Sequence, residues 1–426
     1  MSRSLFGNFL SLAGAEAFTK VITFVAFAYL ARIFGPVGFG YIEWAGTVLM
    51  CTSLIVDQGF SAYGAREIAK FPDQTPRLVR EIVTARVLLA GLGYSIIVIF
   101  ALFFVRDEST KNLLLVYGLS LWTLPFLLQW VFQGQDRMGI VAVTQLVRQS
   151  IFVTAVFLLV SEVNDLVWVG IAELVGVGSA AMVSIYSYIR YSTKSVKLRP
   201  AFSMRLFREG TPIGLSQLFW VVKMWGATFI IGLVATAEDT GYFAAAMRIY
   251  IALHTFVWLY FFNMLPSLSR AWELGPVQMA AMLRKSIKIV ALLSLLVGVI
   301  WIATAPFVMT TVYGPDFSPG AEALSWLGGA CIAAAYSGHF RYGLIAAGYQ
   351  SREMLAMGLG TLIALILIPI GYFYAGISGS AAALFFVECI VLFLSWLIAK
   401  RTILRRLGNS LSSTKTSLKS ALGIVY

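Results

Sequence analysis

The sequence has little charge, histidine or cysteine. Of its 426 residues only 12% are charged and 59% are hydrophobic, whereas a soluble domain has about 25% charged and roughly 45–50% apolar residues. Cys51, Cys331 and Cys389 lie inside apolar runs, without paired or metal-ligand spacing. These shortages exclude a water-soluble enzyme, a disulfide framework and a zinc site, and the cysteines are interpreted as small buried hydrophobic residues.

The loops between the apolar runs are too short to hold a catalytic domain. None contains a glycine-rich phosphate loop or a nucleophile elbow, the two motifs that would indicate ATP binding or acyl transfer. We therefore predict that the chain is not an enzyme, has no catalytic residues, needs no cofactor or metal, and does not drive transport with its own ATP site.

Twelve apolar runs of about 20 to 26 residues predict membrane-spanning helices, because a helix needs about 20 residues to cross a hydrocarbon core about 30 Å thick. The predicted spans are 9–34, 40–63, 82–105, 113–132, 140–160, 166–188, 211–235, 242–268, 286–312, 321–347, 354–374 and 377–399. The predicted fold class is thus an all-α polytopic membrane protein. Since twelve is even, both termini are expected on one side.

Lysine and arginine are distributed unevenly between the two sets of loops. The loops on the side of the termini carry 23 of them, and the opposite loops carry only Arg106 and Lys111, beside acids such as Glu162, Asp165 and Asp239. Cytoplasmic loops are enriched in Lys and Arg, so both termini are predicted to be cytoplasmic. The net charge of +12 is thereby assigned to membrane topology and not to nucleic-acid binding.

The two halves of the chain show faint similarity at a constant offset. Gly40-Tyr41, for example, matches Gly241-Tyr242. Because each half has six spans, the halves share one orientation and would be related by a pseudo-two-fold axis along the membrane normal. We predict a six-helix lobe at 1–200, a second at 201–400 and a cytoplasmic tail at 401–426, with the substrate path between the lobes.

Cations inside the predicted spans are functional candidates, since a charge at mid-bilayer costs about 2.5–3.5 kcal/mol. Seven cations lie there against five acids, and this excess favours a cavity for an anion. Lys223 and Arg248 have no acid three or four residues away on their own helix, so they are predicted to face the cavity. Arg148 and Arg341 are similar candidates.

Other intramembrane charges allow two interpretations. Lys20 either faces the cavity or pairs with Glu16, one turn earlier on the same helix face. Arg86 is interpreted as snorkelling from a span end. Glu173 and Glu388, one in each half, are candidates for proton or sodium coupling. The two histidines are predicted to hydrogen-bond neighbouring helices instead of relaying protons.

Aromatic and amide side chains come together near the end of the fourth predicted span. Trp122, Gln129, Trp130 and Gln133 offer ring faces and amides, a combination that suits sugar rings. The alternative is an aromatic belt at the membrane interface with hydrogen bonds between helices.

Three stretches resemble a known family. They are LARIFGPVGFGY at 30–41, DQG at 57–59 followed by REIA at 66–69, and WVFQGQDRM at 130–138. They are similar to the polysaccharide transporter family, the O-antigen-type flippases of the multidrug/oligosaccharidyl-lipid/polysaccharide exporter superfamily. The resemblance covers essentially the whole chain in span number, loop length and charge layout, while its motifs are loose and confined to the first third.

The resemblance implies two six-helix lobes that alternate between inward-open and outward-open states. Family members move a polyprenyl-pyrophosphate-linked oligosaccharide from the cytoplasmic to the periplasmic leaflet of a bacterial inner membrane. By this resemblance Lys20, Lys223 and Arg248 are expected nearest the pyrophosphate, with Arg148 and Arg341 behind them.

The motif-bearing stretches contain Arg32 and Asp57, which are therefore assigned to the outer gate. The implied partners are the lipid-linked oligosaccharide, membrane lipids and a polysaccharide polymerase. One chain with two lobes suffices for alternating access. The sequence does not decide between a monomer and an oligomer, or between O-antigen and another surface polysaccharide as the substrate.

Rival functions are weighed against the same residues. A cation-coupled exporter of drugs or metabolites from the same superfamily is the main alternative, although it would need an acid-lined cavity. A proton-coupled transporter of soluble sugars or anions with another twelve-span fold is a second. A membrane glycosyltransferase or polymerase is disfavoured because no large outer loop is present, and a scaffold would not need so many intramembrane charges.

Overall fold

The computed structural model describes residues 2–191 and 200–404, with side chains from residue 18 onward except at scattered positions of α8 and α10 and at 403–404. All regular structure in these ranges is helical. The helices are α1 (Ser2–Asp57), α2 (Phe60–Lys70), α3 (Thr75–Phe104), α4 (Glu108–Leu119), α5 (Gln129–Gly134), α6 (Met138–Leu159), α7 (Leu166–Tyr191), α8 (Met204–Val234), α9 (Ala237–Leu274), α10 (Pro276–Tyr313), α11 (Gly320–Ala346) and α12 (Gln350–Ala399).

Two of these helices, α1 and α12, are hairpins. A straight α1 of 56 residues would be about 84 Å long, far longer than the hydrocarbon core. It bends at Gly35, whose φ of +61° is open to glycine at no steric cost, and the ring of Phe39 returns to 6.5 Å from that of Phe27. α12 bends in the same way at Gly376, where φ is +59°. The predicted loop at 35–39 is thus reduced to a single bend.

The helix lengths are consistent with the predicted spans. In the part of the chain that the structure describes, seven helices are long and apolar enough to cross a membrane, or eight with the bent α10. The hairpins add two crossing segments, and α8 and α11, of 31 and 27 residues, have a comparable length. These positions agree with twelve spans, and the predicted all-α polytopic class is confirmed.

The fourth predicted span is not one continuous helix. α4 ends at Leu119, two 3₁₀ turns follow as far as Phe126, and α5 begins at Gln129. Pro125 lies in the second of these turns, and proline cannot donate the amide hydrogen that would continue an α-helix. The aromatic and amide residues predicted at the end of this span therefore lie on separate elements.

Helix boundaries repeat at the predicted offset in the first part of each half. At the offset that matches Gly40 to Gly241, the first residues of α8, α9 and α10 correspond to Arg3, Pro36 and Thr75. To within one residue, these are the positions at which α1, the second half of α1 and α3 begin. The first residue of α12 would correspond to Gln149, well inside α6. A constant offset is therefore wrong beyond the third helix, and α10, with 38 residues against 30 in α3, accounts for most of the change.

The chain divides into two compact units. The first comprises Met1–Gly232 and Thr236–Gly241, and the second comprises Leu233–Ala235 and Tyr242–Tyr426. α8 thus groups with the first unit, and the lobe boundary expected near residue 200 stays a prediction.

Among the described residues of the first unit, buried side chains form two hydrophobic clusters. One joins both halves of α1 to α3, α4, α6 and α7 around Tyr117 and Phe152. The other joins α2, α5 and the first turns of α3, α6 and α8 around Phe60, Trp130 and Phe132. Since lipid tails are as apolar as these side chains, the clusters hold the helices by close van der Waals packing.

A chain of hydrogen bonds joins three helices of the second unit. The hydroxyls of Tyr260 in α9 and Ser286 in α10 are 2.5 Å apart, and Ser286 Oγ is 2.8 Å from Nε2 of His339 in α11. His339 is fully buried. This histidine bonds a neighbouring helix, as the sequence predicts for a lone intramembrane histidine.

Candidate functional site

In the first unit Gly232 near the end of α8 lies against the ring of Trp44 in the second half of α1, and Gly214 of α8 lies against Gln58 just after α1. We name this contact, together with the adjoining residues of α2 and the first turn of α9, the α1–α8 seam. Residues 36–57 span about 33 Å at 1.5 Å per residue, so the seam has two well-separated ends. We call the end with residues 35–44 and 232–241 the acidic end, and the end with residues 57–70 and 204–214 the basic end, after the charges of the loops nearby.

The acidic end of the seam is a contact between backbones. A Cβ on Gly40 would overlap the carbonyl oxygen of Ala237, and a Cβ on Gly241 would overlap that of Pro36. Small residues allow helices to approach so closely. Since Pro36 corresponds to Ala237 and Gly40 to Gly241 in the internal repeat, the two contacts show the reciprocal pattern of an isologous interface.

The basic end begins with a similarly close approach. A Cβ on Gly59 would overlap the amide nitrogen of Gly214, and a Cβ on Gly214 would lie 2.6 Å from the carbonyl oxygen of Gln58. Beside this contact the rings of Phe60 and Phe207 meet edge to face, with centroids 5.3 Å apart.

Charged side chains surround the basic end. Arg205 Nε donates to Glu209 at 2.7 Å, and Arg66 of α2 lies 3.8 Å from the other oxygen of this carboxylate. Glu209 precedes the apolar part of α8, outside the membrane-spanning segment. The hydrogen bond from Arg205 is the main reason that the pKa of Glu209 is lowered, so the carboxylate is ionised near neutral pH.

Asp57, a predicted gate residue, ends α1 next to this contact. Its carboxylate pairs with Arg86 of α3 and also accepts a hydrogen bond from the Ser61 hydroxyl at 3.0 Å. Arg86 is 4% exposed and Asp57 is 27% exposed. The prediction that Arg86 snorkels is therefore wrong, because it is the buried partner of Asp57.

Two of the predicted anion-binding arginines form ion pairs. Arg148 of α6 donates to Glu173 of α7 at 2.7 Å in the first unit, and Arg341 of α11 donates to Glu353 of α12 at 2.8 Å in the second. Arg148 is 44% exposed, whereas Arg341 and Glu353 are 18% and 14% exposed. Each cation is thus compensated by an acid, including Glu173, the proposed coupling residue.

The remaining predicted charges lie on α1, α8, α9 and α12. Lys20 and Arg32 are exposed on the first half of α1, and Arg248 is half-buried in α9. The side chain of Lys223 lies outside the described residues. Glu388 is fully buried in α12.

The carboxylate of Glu388 lies deep in the second unit. It lies close enough to Tyr250 of α9 and Cys331 of α11 for a coulombic interaction with each of them, and Arg341 lies within the same range of Tyr250. Ionisable side chains of α9, α11 and α12 thus lie near one another in the second unit.

The predicted sugar contacts differ in their exposure. Trp130 is 1% exposed within the second cluster of the first unit, so in this conformation it is out of reach of a sugar. Trp122 is 43% exposed with its ring 6.5 Å from that of Tyr94. Gln129 is half-buried and Gln133 is exposed. Trp122 and the other three lie on separate elements because of the break in the fourth span.

The family model described as "Polysaccharide biosynthesis protein" matches residues 5–272, more than half of the chain. The chain belongs to this family. An Escherichia coli K12 protein named "Putative O-antigen transporter" is 20% identical to this family member over 401 residues, 91% of this chain and 95% of that protein. A Shigella dysenteriae protein of the same name is 24% identical over 181 residues, 42% and 46% of the two chains. The predicted family is confirmed.

Solved structures share the fold of this member of the polysaccharide biosynthesis protein family. An inward-facing multidrug resistance MATE transporter of the MOP superfamily matches with a TM-score of 0.73 at 13% identity, over 90% of this chain and 94% of that one. The lipid II flippase MurJ in an inward closed conformation matches with a TM-score of 0.72 at 14% identity, over 97% and 93%. These matches confirm the fold.

Sequence reasoning missed the residues that build the seam. Gly214 and Glu209 lie in no motif, Gly59 was noted only as part of the DQG stretch, and the partners of all three lie far away along the chain. Gly40 and Gly241 could have been found from the sequence, because the internal repeat matches these two glycines to each other.

Proposed function

We propose that this protein is a flippase and not an enzyme. It moves a polyprenyl-pyrophosphate-linked oligosaccharide, the repeat unit of O-antigen or a similar surface polysaccharide, from the cytoplasmic to the periplasmic leaflet of a bacterial inner membrane, with both termini cytoplasmic. The family match over residues 5–272, together with the fold shared with a lipid II flippase, carries this proposal.

The proposed anion site consists of Lys20, Lys223 and Arg248. Lysine and arginine form short, charge-assisted hydrogen bonds with phosphate oxygens, which suits a pyrophosphate. Arg148 and Arg341 lie behind these cations in the proposal, and each is paired with an acid, Glu173 and Glu353 respectively. Trp122, Gln129 and Gln133 remain candidates for sugar contacts.

Transport in this proposal follows alternating access. The sugar head group travels in a wet cleft, which avoids the cost of placing it in hydrocarbon, while the polyprenyl tail stays in lipid. The α1–α8 seam would open at one end while its other end stays closed. Arg32, beside the acidic end, stays the candidate for the outer gate. Asp57 lies at the basic end and is therefore the candidate for a gate on the cytoplasmic side instead of the outer one, and Glu388 is the candidate for ion coupling.

The test uses purified protein in liposomes that contain polyprenyl-pyrophosphate-linked oligosaccharide. A membrane-impermeant sugar oxidant measures how much substrate crosses. Wild type should translocate, and Arg248→Ala and Lys223→Ala should each lower the rate at least about tenfold, a loss of about 1.4 kcal/mol. Arg270→Ala, which removes an exposed cation, is the matched control and should leave the rate unchanged.

The outcomes separate the proposal from its rival. Translocation that survives both substitutions would retain the flippase and reject this anion site. The fold alone also fits a cation-coupled exporter, since a multidrug transporter matches equally well. Export of a soluble drug or metabolite without translocation of any lipid-linked sugar would replace the flippase by that exporter.

A further inference from the structure

A groove runs along the surface of the second unit between α9 and α10. Its volume is about 600 Å³, and its apolar walls include Phe256, Leu259 and Met264 of α9 and Ile289 of α10. Pockets of about 300–1,000 Å³ hold single small molecules or parts of larger ones. The groove is therefore of a size for one lipid head group with the upper part of a chain.

The polar side chains Asn263 and Lys285 lie toward one end of the groove, beside Met264 and Met282. α9 and α10 are joined at Gly275, so α9 runs from Phe256 toward Asn263 while α10 returns from Lys285 toward Ile289. Asn263 and Lys285, both lining residues, thus lie at one end, and Phe256 and Ile289 lie at the other. This order matches a lipid, whose head group and chain demand the same sequence of polar and apolar contacts.

The apolar end of the groove continues onto a surface that suits lipid. Beyond Ile289, which is 49% exposed, the same face of α10 presents Leu292, Leu296 and Ile300, with exposures of 72%, 60% and 53%. Residues three or four positions apart share one helix face. Lys285 lies one turn before this stripe, where a lysine reaches the head-group region while its stem stays in apolar surroundings.

The wall of the groove is held in place from behind. The Tyr260 hydroxyl bonds Ser286, and Ser286 bonds the buried His339. Because the polar ends of Tyr260 and Ser286 are satisfied by this chain, the phenol ring can serve as groove wall. The same bonds fix the distance between α9 and α10, so the groove is formed before a ligand arrives.

The charge at the polar end favours an anion. Among the described lining residues the charged one is Lys285. A cation near a membrane surface attracts anionic head groups. We infer that this groove binds one anionic phospholipid, with its phosphate at Lys285 and Asn263 and its acyl chain along Phe256 and Ile289. The inference does not rest on the proposed transport function.

The experiment uses the full chain in nanodiscs of phosphatidylcholine with a minor fraction of phosphatidylglycerol that bears a photoreactive group near the top of one acyl chain. After irradiation, labelled peptides are mapped by mass spectrometry. Labels should concentrate on 256–264 and 282–289, and unlabelled phosphatidylglycerol should compete for them where phosphatidylcholine does not. Lys285→Gln should lower this labelling roughly fivefold, whereas Lys288→Gln, the same change one turn later, should not.

A second pair of variants tests the apolar end without altering charge. Leu259→Trp fills the groove and should abolish the labelling, while Leu292→Trp, on the exposed stripe outside it, should not. Thermal unfolding of each variant checks that the fold is kept. Equal labelling of all lipid-facing helices, or equal losses in Lys285→Gln and Lys288→Gln, would overturn the inference. Displacement by polyprenyl phosphate but not by phosphatidylglycerol would also overturn it and assign the groove to the substrate's lipid.

Discussion

The two ends of the α1–α8 seam are closed by different chemistry. At the acidic end, backbone contacts backbone at Gly40 and Gly241, so the size of the side chain at these two positions decides whether the contact can form. At the basic end a glycine contact is joined by the Phe60–Phe207 ring pair and by Arg205, Arg66 and Glu209. The comparison shows that one seam can be closed by steric contact at one end, between α1 and the start of α9, and by ion pairs and rings at the other, between α2 and α8. The two ends can therefore respond to different conditions.

The largest effect is expected from adding one methyl group at the acidic end. Gly40→Ala and Gly241→Ala should each destabilise the protein by about 3 kcal/mol, the upper part of the range for overpacking, since the new Cβ would meet a backbone carbonyl. The measurement is the free energy of unfolding in detergent, together with the translocation rate.

A control and a double mutant sharpen this prediction. A Cβ on Gly46, in the same half of α1, would have nothing within 4 Å, so Gly46→Ala should be neutral or stabilising by up to about 1 kcal/mol. The double variant Gly40→Ala/Gly241→Ala should cost less than the sum of the two, because they open one contact. Full additivity would show that the glycines do not share it.

The next effect concerns the buried ion pair at the basic end. Asp57→Asn leaves Arg86 without its counter-charge and should cost about 2–3 kcal/mol. This is below the 3–5 kcal/mol of a fully buried pair, because Asp57 keeps 27% exposure. Glu81→Gln, whose partner Arg77 is 66% exposed, should cost less than about 1 kcal/mol. Equal losses in unfolding free energy would contradict the burial of Arg86.

A smaller effect is expected from the ring pair. Phe207→Ala removes the edge-to-face contact with Phe60 and should cost about 1 kcal/mol for the pair itself, in addition to lost packing. Phe71→Ala, which truncates a ring at the same end that is 51% exposed, serves as the comparison. If both substitutions lower the unfolding temperature equally, the ring contact does not support the basic end.

The smallest effect is a pH response of the basic end alone. Because the pKa of Glu209 is lowered by Arg205, its ion pairs stabilise this end above the unfolded carboxyl pKa of about 4.3. That contribution is lost as the pH falls through the lower folded value. Hydrogen exchange of residues 57–70 should therefore rise below about pH 4, while that of residues 36–46 should not.

Two further observations bear on this response. Glu209→Gln should abolish the pH dependence at residues 57–70, and high salt should weaken the same contacts because exposed ion pairs are screened. An equal rise in exchange at both ends would mean that general unfolding, and not Glu209, is being measured.

The spans were predictable because hydrophobic length and loop charge are local properties of the sequence. The break in the fourth span was visible only as Pro125, and its two 3₁₀ turns depend on packing against neighbouring helices. The bends at Gly35 and Gly376 were located to within a few residues, since glycine at a span end is the usual solution for a sharp reversal.

The candidate site was less predictable because charge pairing is a property of three-dimensional neighbours. Arg148 and Arg341 looked unpaired along their own helices, but Glu173 and Glu353 reach them from the next helix. Arg86 looked like an interfacial residue until Asp57, 29 residues earlier, was placed beside it. Spacing within one helix therefore identifies intramembrane charges but does not tell which of them keep a net charge.

The reciprocal glycine contact also has a consequence for ancestry. Gly40 contacts Ala237, which corresponds to Pro36 in the repeat, and Gly241 contacts Pro36 itself. The two copies of the repeated segment thus contact each other through the same surface, as two identical subunits do in a symmetric dimer. Such a geometry is what a duplicated, fused gene inherits from a half-length protein that paired with itself. Within one chain the two copies can also differ in length, as α3 with 30 residues and α10 with 38 residues do.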